Sequence, residues 1–136
     1  MTFVLLIGLL FNSAGRAAHG TQPDRSDCTI FGLSYPNVYK GTIYVCPVDL
    51  AEDPKWDDAA AGPVPFALNQ ALRTAREALN RFDPNETRWK LRQVSLAKIG
   101  QRWVYRVDWT VPRTEKSMTY AVTLSGRVIH PELDPK

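Results

Sequence analysis

The side chains best equipped for chemistry in this sequence are cations. Arg88, Lys90, Arg92 and Arg106 lie close together in the chain, and from Arg73 to Arg106 nine basic residues stand against three acidic ones, net +6. Such a cluster attracts anions: nucleic acid, an anionic surface or an acidic protein. The stretch from His19 to Gly62 has the opposite bias, three basic and seven acidic residues, net −4. An acidic loop folded over the basic face neutralises it from within, and the charge pattern favours that arrangement, or plain solvation, over a partner site. If the cations do serve a partner, it is an acidic protein and Arg88, Lys90, Arg92 and Arg106 are its binding residues.

Other reactive groupings are weaker. Asp49, Glu52, Asp53, Asp57 and Asp58 are rich in carboxylates, but their spacing lacks the glycine and final glutamate of a calcium loop. His19 and His130 are the only histidines, too few to complete a metal site with two cysteines. Asp108 and Tyr105 are capable of proton transfer, yet an odd and an even position on one strand point to opposite faces. No Ser-His-Asp spacing and no phosphate loop occurs. The sequence therefore nominates no catalytic residue, no metal and no cofactor. "NET" at 85–87 is a glycosylation sequon on Asn85, relevant only in a eukaryotic secretory route.

The length of 136 residues and the formal charge of +3 fit one domain behind a leader. "FVLLIGLLF" (3–11) followed by "NSAGRAAHG" has the layout of a secretory signal, with cleavage after Gly15, Ala17 or Ala18. No basic residue precedes the apolar run. The run is short for a bilayer of roughly 30 Å, so cleavage is favoured over an anchor, leaving no stable membrane span. Residues 1–18 are read as signal peptide and 19–27 as a mobile segment. The mature chain is then secreted, periplasmic or held in the cell envelope.

Export gives the two cysteines a role. "CTIFGL" (28–33) and "TIYVC" (42–46) are strand-like, and Pro36, Asn37 and Gly41 lie between them. A hairpin centred near Asn37 sets Cys28 opposite Cys46, within reach of a disulfide. Metal binding and a nucleophilic thiol rank below that bridge. Residues 47–64 form an acidic, proline-rich loop with Trp56 as its apolar anchor.

The remaining elements position the cations. Leu68, Ala71, Leu72, Ala75, Leu79 and Phe82 recur at helical spacing after Pro65, which suits a first-turn position, and Pro84 stops the helix. Strands follow at about 88–98, 102–111 and 118–124, with a short fourth from Arg127. In "RWVYRVDWTV" (102–111), Trp103, Tyr105, Val107, Trp109 and Val111 share one side and Arg106, Asp108 and Thr110 the other. A β-bulge at Arg92–Gln93 brings Trp89, Leu91, Val94 and Leu96 onto one face. Leu96 is expected opposite Trp103 and Trp109 opposite Tyr120. The aromatic face is a core for the helix, and the charged face is expected to be wet, with Lys90 opposite Asp108. Burial of the aromatics, together with export, argues against nucleic acid.

"ALNQALRTAREAL", "WVYRVDWTV" and the closing "YAVTLSGRVIHPEL" resemble PepSY and cystatin-like small exported bacterial domains over about residues 65–133. That resemblance implies a non-catalytic module that binds or restrains an extracytoplasmic partner, in some relatives a peptidase. The disulfide hairpin and the high tryptophan content depart from the pattern.

The expectation is a monomeric α+β domain over 28–136: one long helix on a three- or four-stranded antiparallel meander, preceded by a disulfide-tied hairpin. The expected function is binding of an acidic extracytoplasmic protein. A small isomerase or hydratase of cystatin-like fold, and a purely structural envelope protein, are the alternatives.

Overall fold

A computed structural model describes residues 24–57, 59 and 62–134. The expected signal peptide at 1–18 lies outside the described residues, as do residues 19–23 of the segment expected to be mobile. The chain runs β1 (Thr29–Ser34), β2 (Gly41–Val45), a 3-10 turn at Pro47–Leu50, α1 (Leu68–Phe82), β3 (Lys90–Ile99), β4 (Arg102–Thr110), β5 (Ser117–Thr123), β6 (Val128–Ile129) and β7 (Glu132–Leu133). The fold is α+β, as the periodicities require. β3-β4-β5-β6 form an antiparallel meander and β1-β2-β7 a second small sheet.

α1 begins three residues later than Pro65, where the Gln70 side chain accepts from the Ala67 N–H. Its buried stripe is Ala71, Ala75, Ala78 and Leu79. Three alanines among four buried positions let the helix lie close to the sheet, where it meets β4, β5 and β6. The core between them holds Trp89, Tyr105, Val107, Trp109, Val111, Met118, Tyr120, Val122 and Leu124. The aromatic side of "RWVYRVDWTV" is thus interior, and only Trp103 on it is partly exposed.

The sheet register differs from the expected one by two residues on each side of β4. Leu96 pairs with Tyr105, Val94 with Val107 and Leu91 with Trp109, while Trp109 pairs with Met118. The bulge at Arg92 is present, between Leu91 and Gln93. A slip of two keeps every side chain on its face, so the pattern alone cannot detect it. The turn decides it: Ile99 pairs with Arg102 around Gly100–Gln101, and Gly100 takes a φ of 60°, which glycine accepts at the first central position of a two-residue turn. Lys90 consequently stands opposite Thr110, and Asp108 opposite Gln93.

The charged face of the meander is not wet. The β1–β2 hairpin packs across it, and Phe31, Ile43, Val45 and Leu50 join Ile99, Val104 and Ala121 in a second core. The hairpin satisfies the polar groups it covers. Arg106 donates to the Phe31 carbonyl (2.9 Å) and pairs with Asp108 (3.1 Å); the Thr119 hydroxyl donates to Asp108 (2.6 Å), and the Thr119 N–H to the Ser34 hydroxyl (2.9 Å). The Phe31 carbonyl comes from a bulge between Ile30 and Gly32. Gly32 lets the two sheets approach closely there, since a Cβ would sit 3.0 Å from the Thr119 methyl and press on it. The Cys28–Cys46 disulfide closes the open end of this hairpin. Asp24 to Asp27 form a turn beside it, held by an Arg25–Glu132 ion pair and by Arg25 lying 4.3 Å above the Tyr44 ring.

Candidate functional site

The four cations proposed from sequence fall into two groups. Arg106 belongs to the layer between the sheets, committed to Phe31 and Asp108 as described. Arg88, Lys90 and Arg92 remain exposed, before and along the first part of β3. The loop between β4 and β5 adds a residue that pattern reading missed. Arg113 follows Pro112 with a φ of 65°, a left-handed backbone that only a tight turn imposes on a non-glycine residue. A cleft of about 380 Å³ is lined by Arg88, Lys90, Pro112, Arg113 and Thr114. Sequence offered one hint of this, an arginine displayed by a proline turn between two hydrophobic strands.

Electrostatics differ across the cleft. Arg88 is held by Glu86 through two side-chain contacts of 2.9 and 3.0 Å, with a further bond from the Arg88 N–H at 3.1 Å. Lys116 reaches the same carboxylate at 3.3 Å and Asp83 at 4.0 Å. Lys90, Arg92 and Arg113 have no ion-pair partner among the described residues. The cleft therefore presents net positive charge, with Arg88 oriented by its carboxylate.

The Arg88 guanidinium, then the Arg88 N–H, hold the Glu86 carboxyl down from its ordinary 4.5 to about 2. A lowered carboxyl stabilises the folded state above its unfolded value, and that contribution is lost as pH falls. The stability difference between wild type and Glu86→Gln should be complete at pH 7, begin to shrink near pH 4.5 and be gone below about pH 2. Urea unfolding of both proteins across that range is the measurement; a difference that does not change with pH assigns Glu86 a role other than its charge.

A second concave surface adjoins β3. Among the described residues β3 has β4 as its single strand neighbour, which leaves its other side an edge. α1 sits over β4 to β6 and leaves the helix-side face of β3 incompletely covered. Val64, Leu68, Val94, Ser95, Leu96 and Tyr105 line an open groove of about 290 Å³ there. Leu68 is 49% exposed and Leu91, farther along β3, 42%. The Tyr105 hydroxyl donates to the Phe66 carbonyl at 2.6 Å, fixing the chain ahead of α1 against the sheet, and burial pushes that phenol's pKa up.

The acidic loop does fold back on basic residues, but on other ones. Arg102 donates to the Ala51 carbonyl (3.1 Å) and to that of Asp53, and Arg127 pairs with the buried Asp53 carboxylate (3.2 Å), which also accepts from the Ser125 hydroxyl. Trp56 anchors the loop as expected, edge-on to Trp103 at 5.2 Å, its indole N–H bonded to the Gly62 carbonyl. The internal clamp thus leaves Arg88, Lys90 and Arg92 untouched.

Another cleft, about 440 Å³ beside the disulfide, is lined by Arg25, Arg127 and Glu132 among others, and its cations are already paired. His130 stands edge-on to Tyr120. Among the described residues no three His, Cys, Asp or Glu side chains gather as a metal site, and no helix is long and apolar enough to cross a membrane. Compared with known proteins, the chain matches no family model, no curated protein and no solved structure.

Proposed function

We propose that this domain is a non-catalytic binding module, acting outside the cytoplasm, that captures an acidic protein partner through Arg88, Lys90, Arg92 and Arg113. The observation that carries this reading is that Lys90, Arg92 and Arg113 have no internal acidic partner among the described residues, beside an Arg88 held by Glu86, while the acidic loop meets Arg102 through its backbone carbonyls and Arg127 through Asp53. The disulfide supports a location where thiols are oxidised. The resemblance of residues 65–133 to PepSY and cystatin-like domains supplies the same expectation of a binding or restraining role.

The isomerase or hydratase reading asks for an apolar pocket holding an acid or a base. The apolar groove offers Tyr105 as its titratable side chain, and that hydroxyl is donated to Phe66. Binding accounts for the exposed cations; catalysis leaves them without a role.

Poly-glutamate is a suitable probe of the charge component alone. The oxidised full chain should bind it with an affinity that falls as salt rises, because screening weakens attraction between exposed charges. Lys90→Glu combined with Arg113→Glu should weaken binding about tenfold or more and leave the melting temperature nearly unchanged, exposed charges contributing little to stability. Equal binding by wild type and the double variant would remove these residues from the site.

A further inference from the structure

We infer that the partner is captured as an added β-strand: an extended segment with alternating acidic and apolar residues pairs with the free edge of β3 and sets its apolar side chains into the groove between β3 and α1. This rests on the binding reading above and specifies its geometry.

The edge comes first. β3 is the longest strand of the domain, Lys90–Ile99, and its outer side has no neighbouring strand among the described residues. An edge of this length leaves a row of backbone N–H and C=O groups facing outward, the template on which strand addition works. Ten residues at roughly 3.3 Å each leave room for a partner segment of about six to eight residues.

The groove supplies the second requirement. Leu91, Val94 and Leu96 lie on the helix side of β3, because they pair with Trp109, Val107 and Tyr105 of the core face. They are only partly covered, since α1 is seated over the other three strands of the meander, and Leu68 at the start of α1 projects beside them. An added strand places alternate side chains on that same side, where Val64, Leu68, Val94 and Leu96 receive them.

Charge selects the occupant. β3 reads "KLRQVSLAKI", with Lys90, Arg92 and Lys98 and no acidic residue, and Arg88 precedes it. Two copies of β3 edge to edge would oppose these cations to one another, so a second copy of this chain is disfavoured and an acidic segment favoured. Cations on an edge strand also serve simply to prevent aggregation. That role alone gives no reason to keep an open apolar row at Leu68, Leu91, Val94 and Leu96 beside the edge.

The test uses the oxidised full chain and a blocked octapeptide alternating glutamate with valine or leucine, together with two versions N-methylated on alternate backbone amides, one on each set. The unmodified peptide should bind more tightly than poly-glutamate of equal charge and should slow amide hydrogen exchange in residues 90–98. One methylated version should lose about tenfold or more in affinity, because only one set of amides faces β3, and the other should bind nearly as well. Leu68→Asp, at an exposed position, should weaken the alternating peptide and spare poly-glutamate. If both methylated versions bind like the parent, strand addition is overturned while capture by charge stands. If neither peptide nor poly-glutamate binds, both readings fail. Two further results overturn it: vesicles of anionic phospholipid that bind the protein while the octapeptide does not, or a concentration-dependent dimer that slows exchange in 90–98 without peptide.

Discussion

Replacing Trp109 by alanine is expected to lower stability by about 3–5 kcal/mol, the range for truncating a large core aromatic. Trp109 is 4% exposed, pairs with Leu91 on one side and Met118 on the other, and lies beneath the Arg76 guanidinium at 4.7 Å. Arg76 comes from α1 and also donates to the Trp89 carbonyl, so the ring sits where helix, β3 and β5 converge. The α1 stripe is mostly alanine and cannot reach down to refill a lost indole. Total stability of a domain this size is about 5–15 kcal/mol, so the variant should melt far earlier. The Trp109 indole N–H has no partner among the described residues, and Trp109→Phe, which removes that N–H but keeps an aromatic ring, should cost much less. Urea unfolding of the three proteins decides it. A Trp109→Ala variant with unchanged midpoint would sink the assignment of this face to the core.

How far the residues foretell the structure depends on what each signal measures. Alternation in β4 and β5, and the bulge near Arg92, are face signals, and the faces they give agree with the structure. Register is not a face signal; Leu96 opposite Trp103 and Leu96 opposite Tyr105 satisfy the same alternation, and only the Gly100–Gln101 turn separates them. Cys28 and Cys46 carried distance information of their own and placed the hairpin correctly on itself. Nothing in the hairpin said where it docks. Arg106, Asp108, Thr119 and Thr123 read as a solvent face because each is polar, yet the Phe31 carbonyl takes Arg106 and the Ser34 hydroxyl takes the Thr119 N–H, while Asp108 is met by Arg106 and Thr119, and Thr123 by Ser125. Polar composition reports what a face needs, not whether water or another sheet provides it. The candidate site shows the same limit. Net charge by segment pointed to an acidic loop closing on cations, but which cations depends on chain path, and Arg102 and Arg127 are nearer to it than Lys90. The groove at Leu68 was invisible for a further reason: the helix stripe predicts that Leu68 is apolar, not that α1 sits off the centre of the sheet.

Loss of the Cys28–Cys46 disulfide is expected to cost about 3 kcal/mol, the loop-closure contribution for a separation of 18 residues. The hairpin it closes is not held by the bond alone. Ile43, Val45 and Leu50 are fully buried beneath it, and Tyr35 and Ser117 exchange backbone bonds of 2.8 and 2.9 Å that join its far end to β5. The reduced protein should therefore remain folded at 25 °C and unfold in a single transition at lower urea. The Cys28→Ser, Cys46→Ser double variant should behave like reduced wild type and be indifferent to reductant. The end nearer the cysteines should respond most, because Arg25 is tied there to Glu132 and stacked on Tyr44, and those contacts need the chain at Cys28 to be held against β2. Hydrogen exchange in β1 and β2 should accelerate on reduction while that in β4 and β5 changes only with global stability. An earlier, separate transition confined to β1 and β2 would make the hairpin an independent unit resting on the meander. An unchanged midpoint would instead mean that the two cores hold the layers together without the bridge. The β3 edge is remote from this change in the sheet order, being three strands away from β6 and in the other sheet from β1. Peptide capture at Lys90 and Leu68 should accordingly survive reduction in conditions where the domain stays folded, which separates the role of the disulfide in stability from the role of the edge in binding.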